Sequence, residues 1–152
     1  MQSQFIKGKL MFRLLSSLLV FVLSMSAVCA DDSLISKAAP GAKVYFIEPV
    51  DGAVVGKTFT VKFGLSGMGV APAGTDREHT GHHHILINLD TLPDMTVPLA
   101  ANDNIKHFGG GQTETTLTLE PGTHSLQLLL GNHIHIPHDN PVMSEKITIT
   151  VE

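Results

Sequence analysis

An all-β domain, an immunoglobulin-like antiparallel β-sandwich of about seven strands, is the fold class that the sequence predicts. Three observations lead to it. Apolar and polar residues alternate in one short run after another. Turn-forming residues separate the runs, and no segment repeats at the helical spacing. Successive side chains of a strand point to opposite faces, so alternation of this kind marks half-buried strands.

The domain is expected at 43–152, after a loose linker at 31–42 that carries Ala38, Ala39, Pro40 and Gly41. A first short strand falls at 44–47. In the second, 58–65, Phe59, Val61, Phe63 and Leu65 alternate with Thr58, Thr60, Lys62 and Gly64. Ile85, Ile87 and Leu89 define a third at 82–89, and a fourth belongs somewhere in 95–106. Thr115, Leu117 and Leu119 mark the fifth at 113–119, and Leu126, Leu128 and Leu130 mark the sixth at 123–131. The last, 142–152, carries Ile147, Ile149 and Val151. Between them stand Pro49 with Asp51-Gly52, the stretch 64–74, Pro93-Asp94, the glycines at 109–111, Pro121-Gly122, and 137–141. Leu119 to His124, running into the leucines of the sixth strand, resembles the corner before that strand in such sandwiches, with His124 as the residue that ties the turn. A small barrel is the alternative architecture.

Residues 1–30 read as a cleavable secretory signal. Lys7, Lys9 and Arg13 make a basic start, an uncharged apolar stretch runs from Leu14 to Val28, and Val28, Cys29 and Ala30 offer small residues before Asp31. The stretch is short for a bilayer span, which needs about 20 apolar residues. A retained anchor and a lipoprotein modified at Cys29 are the alternatives. Cys29 is the one cysteine, so a chain cleaved after Ala30 has neither disulfide nor thiolate. Three of the ten basic residues leave with the signal, and the remaining seven face fourteen acidic residues, a net charge of −7 with histidines neutral. An acidic domain without a basic patch excludes nucleic acid as a partner, and no membrane association is expected after cleavage. The location implied is periplasmic or secreted.

The chemistry is concentrated in nine histidines. His79 stands with His82, His83 and His84; His107 is alone; His133, His135 and His138 form a third group; His124 is the corner residue. In a seven-stranded sandwich the loops after the second, fourth and sixth strands lie at one end, which would gather the three groups and send His124 to the other. Strand parity puts His83 on the core side with Ile85 and Ile87, and His82 and His84 on the outer side. His133 and His135 share that side if the sixth strand continues without a bulge, and Gly131 is where a bulge would reverse the order. Imidazole is the commonest protein metal ligand. Convergent imidazoles suit Zn(II) or Cu(II), whereas Ca(II) and Mg(II) prefer oxygen. The candidate ligands are therefore His82, His84, His107, His133, His135 and His138, with copper or zinc as the ion. Met68 or Met143 would add a thioether and favour Cu(I), and Asp103 or Asp139 would supply an oxygen or orient a ring. Taken singly, each histidine has an ordinary structural reading, in an exposed loop or bonded to a backbone carbonyl. The two methionines equally suit packing.

Gly81 to His84, His107 to Glu114, Pro121-Gly122 with His124, and the run from His133 through Pro137-His138 to Ser144-Glu145 resemble a bacterial family, domain of unknown function 4399. The resemblance covers residues 44–152 and implies a secreted or periplasmic domain without assigning an activity. Three functional classes stand: a metal-binding module, a metalloenzyme on the same residues with Glu78 as the nearest general base, and a metal-free envelope or adhesion module. The protein partner is not specified by the sequence. Cleavage after Ala30 predicts that protein from the native host begins at Asp31. Intact-mass measurement checks this; a mass that still includes residues 1–30, or a lipid adduct on Cys29, would refute it.

Overall fold

The computed structural model describes residues 34–152, and the leader, its cleavage site and Cys29 lie outside the described residues. The domain is all-β, with no helix among the described residues. Nine strands follow in order: β1 (Lys43–Glu48), β2 (Val54–Val55), β3 (Thr58–Ser66), β4 (Gly69–Val70), β5 (Thr80–Ile87), β6 (Ile105–His107), β7 (Glu114–Thr118), β8 (Gly122–Gly131) and β9 (Ile147–Val151). Two of the nine, β2 and β4, are two-residue strands that the alternation did not anticipate.

The strands form two sheets. In the smaller, β3 lies between β1 and β7, and both pairings are antiparallel. The larger runs β2-β9-β8-β5-β4, and β6 also pairs with β5. β4 meets β5 at Thr80 and Gly81, while β6 meets it from His84 to Leu86, so the two share one edge of β5. The predicted alternation decides which side chains form the main core. Phe59, Val61, Phe63 and Leu117 from the smaller sheet pack against Ile85, Ile87, Leu126, Leu128, Leu130 and Ile149 from the larger. Each such side chain contributes about 1.5–3 kcal/mol of transfer free energy.

β5 departs from the expected half-buried pattern, because everything from Gly81 to Ile87 is buried. The reason is a second apolar layer on its outer face. There Leu86 and Leu129 pack with Leu99 and Ile105, which the connection after β5 carries across the sheet. The fourth expected strand shrinks to Ile105–His107, and the last begins at Ile147, after Met143 has made an isolated bridge to Leu129. The segment expected as a loose linker is fastened from Leu34 onward. Asn132 Nδ2 donates to Leu34 O at 2.8 Å and to Ser36 Oγ at 3.1 Å, Ala38 N donates to Asp139 Oδ1 at 3.0 Å, and Ala39 is buried.

Hydrogen bonds join the three histidine-bearing loops. Ala73 N donates to Gly109 O and Gly74 N to His133 O, both at 2.8 Å. His124, near the start of β8, sits far along that strand from these loops and holds the corner. Its Nε2–H donates to Glu120 O at 2.8 Å, its Nδ1 accepts from Asn88 Nδ2 at 2.9 Å, and Asn88 Oδ1 accepts from Ser125 N at 2.9 Å. The corner is open to solvent, so water compensates part of what is lost on truncation. His124→Ala is expected to lower unfolding stability by about 1 kcal/mol. Equilibrium denaturation that shows no loss would remove the corner from the account of stability.

Candidate metal centre

Three neighbouring strands build the site. On β5, alternation sends His82 and His84 to the outer face and His83 to the inner one. His83 packs there against Phe63, with ring centroids 4.7 Å apart. β6 pairs antiparallel with β5 and sets His107 directly opposite His84. On the other edge, β8 sets Gly131 opposite His82, and the chain turns just beyond it to present His135. His107, expected in a loop, is thus the last residue of a short strand, too short to show an alternation of its own.

The turn after β8 is organised by Asn132. Its Oδ1 accepts from Ile134 N and Ile136 N, each at 3.0 Å, while His135 N donates to Asn132 O at 2.9 Å. His135 takes a left-handed backbone with φ of 71°. That conformation is uncommon outside glycine, and in a non-glycine residue it persists only where the surroundings impose it. Two glycines make room for the rings. A Cβ on Gly131 would lie 2.8 Å from His84 Cε1, and one on Gly109 would overlap the ring of His107.

Four imidazoles meet as a result. Ring centroids of His82 lie 4.9 Å from His84, 5.0 Å from His107 and 4.9 Å from His135. His107 lies 4.6 Å from His135 and 5.2 Å from His84, and the longest separation, His84 to His135, is 6.1 Å. One nitrogen from each of His82, His107 and His135 lies within 4.8 Å of the other two. His84 adjoins this triad without joining it.

Burial governs the electrostatics. His82, His83 and His84 are each 0% exposed. Desolvation, followed by the neighbouring rings with His135 first, pushes His82 down to about 4 from 6.5. Desolvation takes His83 to about 4, with the backbone of Gln112 and Gly64 opposing. It takes His84 to about 3, reinforced by His82 and His107 and opposed by the backbone of Leu129. His107 is lowered by partial burial and by His135. The ring nitrogens of His82 and His84 have no hydrogen-bond partner of good geometry among the described residues. A buried polar atom left unpaired costs about 1–3 kcal/mol. A neutral imidazole with a free lone pair is the form that binds a metal.

The remaining candidates are placed elsewhere. His133 does not enter the cluster: the tight turn after Gly131 ends the strand's alternation, and His133 Nδ1 lies 3.5 Å from Asp76 Oδ1. His138 is buried nearby; its Nε2–H donates to Thr80 O at 3.2 Å and its Nδ1 has no hydrogen-bond partner among the described residues, but it is not one of the three histidines whose nitrogens converge. Met68 packs against the main core and Met143 against the outer layer. Asp103 lies 3.6 Å from Lys106, and Asp139 accepts from Ala38 N and Asn140 N. Glu78, the nearest candidate base, is exposed and 3.6 Å from His79.

Comparison with known proteins gives a family. The sequence profile described as "Domain of unknown function (DUF4399)" matches residues 61–152. The chain belongs to this family. The DUF4399 match contains β5, β6 and β8 and all four clustered histidines, whereas β1 precedes it. No curated protein matches. Among solved structures, the X-ray structure of an endo-beta-1,4-mannanase from Thermotoga petrophila is similar at a TM-score of 0.43 and 16% identity. That likeness covers 73% of this DUF4399 chain and 20% of the mannanase chain.

Neutral buried histidines make stability depend on pH with a definite sign. Unfolding releases His82, His83 and His84 to an ordinary value near 6.5, so the unfolded chain binds more protons below it. Their contribution is complete above about pH 6.5 and falls as pH drops toward 4, by up to ~1.4 kcal/mol per pH unit for each group. Denaturant midpoints of metal-free protein between about pH 7 and pH 5 are expected to decline with acid. A flat profile would mean that these rings are not held neutral by the fold.

Proposed function

We propose that the protein is an exported metal-binding module that holds one Cu(II) or Zn(II) ion through His82, His107 and His135. In this reading the two sheets form an immunoglobulin-like sandwich, β2 and β4 are additions to its seven longer strands, and residues 1–30 direct the chain to the periplasm or outside the cell. One observation carries it: three imidazole nitrogens from three separate elements converge within 4.8 Å, beside buried ring nitrogens that lack hydrogen-bond partners. Zn–N bonds of about 2.0–2.1 Å require the nitrogens to stand no more than about 4 Å apart, so the rings draw together slightly on binding. Exposed His107 and half-buried His135 have the freedom to do so. With both methionines packed in apolar layers, the donors are all nitrogen, which suits Cu(II) and Zn(II) and gives Cu(II) the higher affinity. The strained backbone of His135 supports the same reading, since such strain is concentrated at functional sites.

Calorimetric titration of tagless protein is expected to give one ion per chain. His82→Ala should lose at least about tenfold in affinity. His135→Gly, which keeps the left-handed backbone, should lose as much. Combining the two should add little, because ligands of one site are not additive. His133→Ala and His124→Ala should bind as the wild type does. Affinity no greater than that of a short histidine-rich peptide, or two sites lost independently, would refute a shared centre.

A further inference from the structure

The cluster is lopsided. Its floor is formed by His82 and His84, both fully buried on β5. Its mouth is formed by His107, exposed at the end of β6, and His135, half-buried in the turn after β8. Three donors meet the condition of mutual approach, and every one is an imidazole nitrogen, a donor that brings no negative charge to an ion. No carboxylate belongs to the group among the described residues: Asp76, Asp103, Asp139 and Glu78 stand against His133, Lys106, the backbone of Ala38 and His79 respectively. A divalent ion on this triad therefore keeps its full charge, beside a face lined with apolar groups and desolvated rings. Charge held in such surroundings attracts a counter-charge far more strongly than it would in water. Three protein ligands with one position left to solution is also how an ion stays accessible, in contrast to closed four-ligand structural sites.

Resting on the metal-binding reading, we propose that the bound ion completes its coordination from solution, between His107 and His135, and takes a small monovalent anion there. His84, on the buried side with its centroid 6.1 Å from that of His135, adjoins the triad without ligating. The protein then presents a metal–anion pair at one end of the domain, and its natural ligand belongs to the class of small anions that a copper or zinc ion binds directly.

Azide serves as the probe. Full-length protein carrying one equivalent of Cu(II) is titrated with sodium azide and followed by absorption and electron paramagnetic resonance. A saturable azide-to-copper charge-transfer band with one azide per copper is expected, at the same half-saturating concentration in wild type and His84→Ala. Copper bound one-to-one with no azide band in wild type would overturn the inference while leaving the metal site standing. A band that appears only in His84→Ala would overturn it too, by making His84 a fourth ligand. Failure of the protein to hold copper at all would remove the metal-binding reading and this inference together. The wild-type titration decides the matter even if His84→Ala does not fold.

Discussion

β5 is paired along both edges and covered on both faces, and it carries three imidazoles in succession. Its backbone groups are satisfied by the ladders to β8, β6 and β4, but its side chains must find their own accommodation. Alternation divides the three. His83 turns to the inner face, where Phe63 packs against it with the rings tilted, while His82 and His84 share the outer face. On that face the apolar cover of Leu86, Leu129, Leu99 and Ile105 runs beside His84 toward the loop end of the sheet. The cluster thus occupies the margin between that apolar layer and solvent.

The other members of the cluster answer to that strand. A three-residue pairing is enough to place His107 opposite His84, because the register of an antiparallel ladder admits no half-steps. His135 needs more machinery. Asn132 closes the turn with its own side chain and backbone, reaches back to Leu34 and Ser36, and so fixes both the loop and the segment that precedes β1. Gly131 and Gly109 leave the volume that the rings of His84 and His107 fill. Packing of this density tolerates few alternatives, so the geometry of the cluster depends on residues that carry no donor atoms.

The corner brace and the histidine cluster occupy different parts of the molecule. His124 uses both of its nitrogens to tie Glu120 and Asn88, which leaves no lone pair for an ion. His82 and His84 reverse that arrangement, with buried nitrogens that have no hydrogen-bond partner among the described residues. The same residue type serves as a brace at one place and gathers into a cluster at another, according to what surrounds it. The acidic balance of the chain, fourteen Asp and Glu against ten Lys and Arg, adds a field that favours the approach of cations.

Much of this was legible in the residues themselves. Alternation at 58–65 and in the leucines at 126–130 determined the strands β3 and β8 and their buried faces, because a period of two has one physical meaning. It also divides His82 and His84 from His83, because neighbouring residues of a strand face opposite ways. Pro121, Gly122 and His124 marked the corner, since turn chemistry is local. The cluster itself was only partly legible. Ile105–His107 is too short to announce a strand, and the reversal at Asn132 broke the parity that would have carried His133 along with His135. The contact of His133 with Asp76, the hydrogen bond of His138 to Thr80, and packing of both methionines in apolar layers join segments far apart in the chain. The sequence by itself determined which residues can bond to a metal and which faces of the strands they occupy, because those are properties of side chains and of local backbone period. Only the tertiary structure decided that His82, His107 and His135 converge and that His84 stands beside them. Convergence is set by register, by the volume that glycines leave open and by turn geometry, and these exist only once the strands have paired.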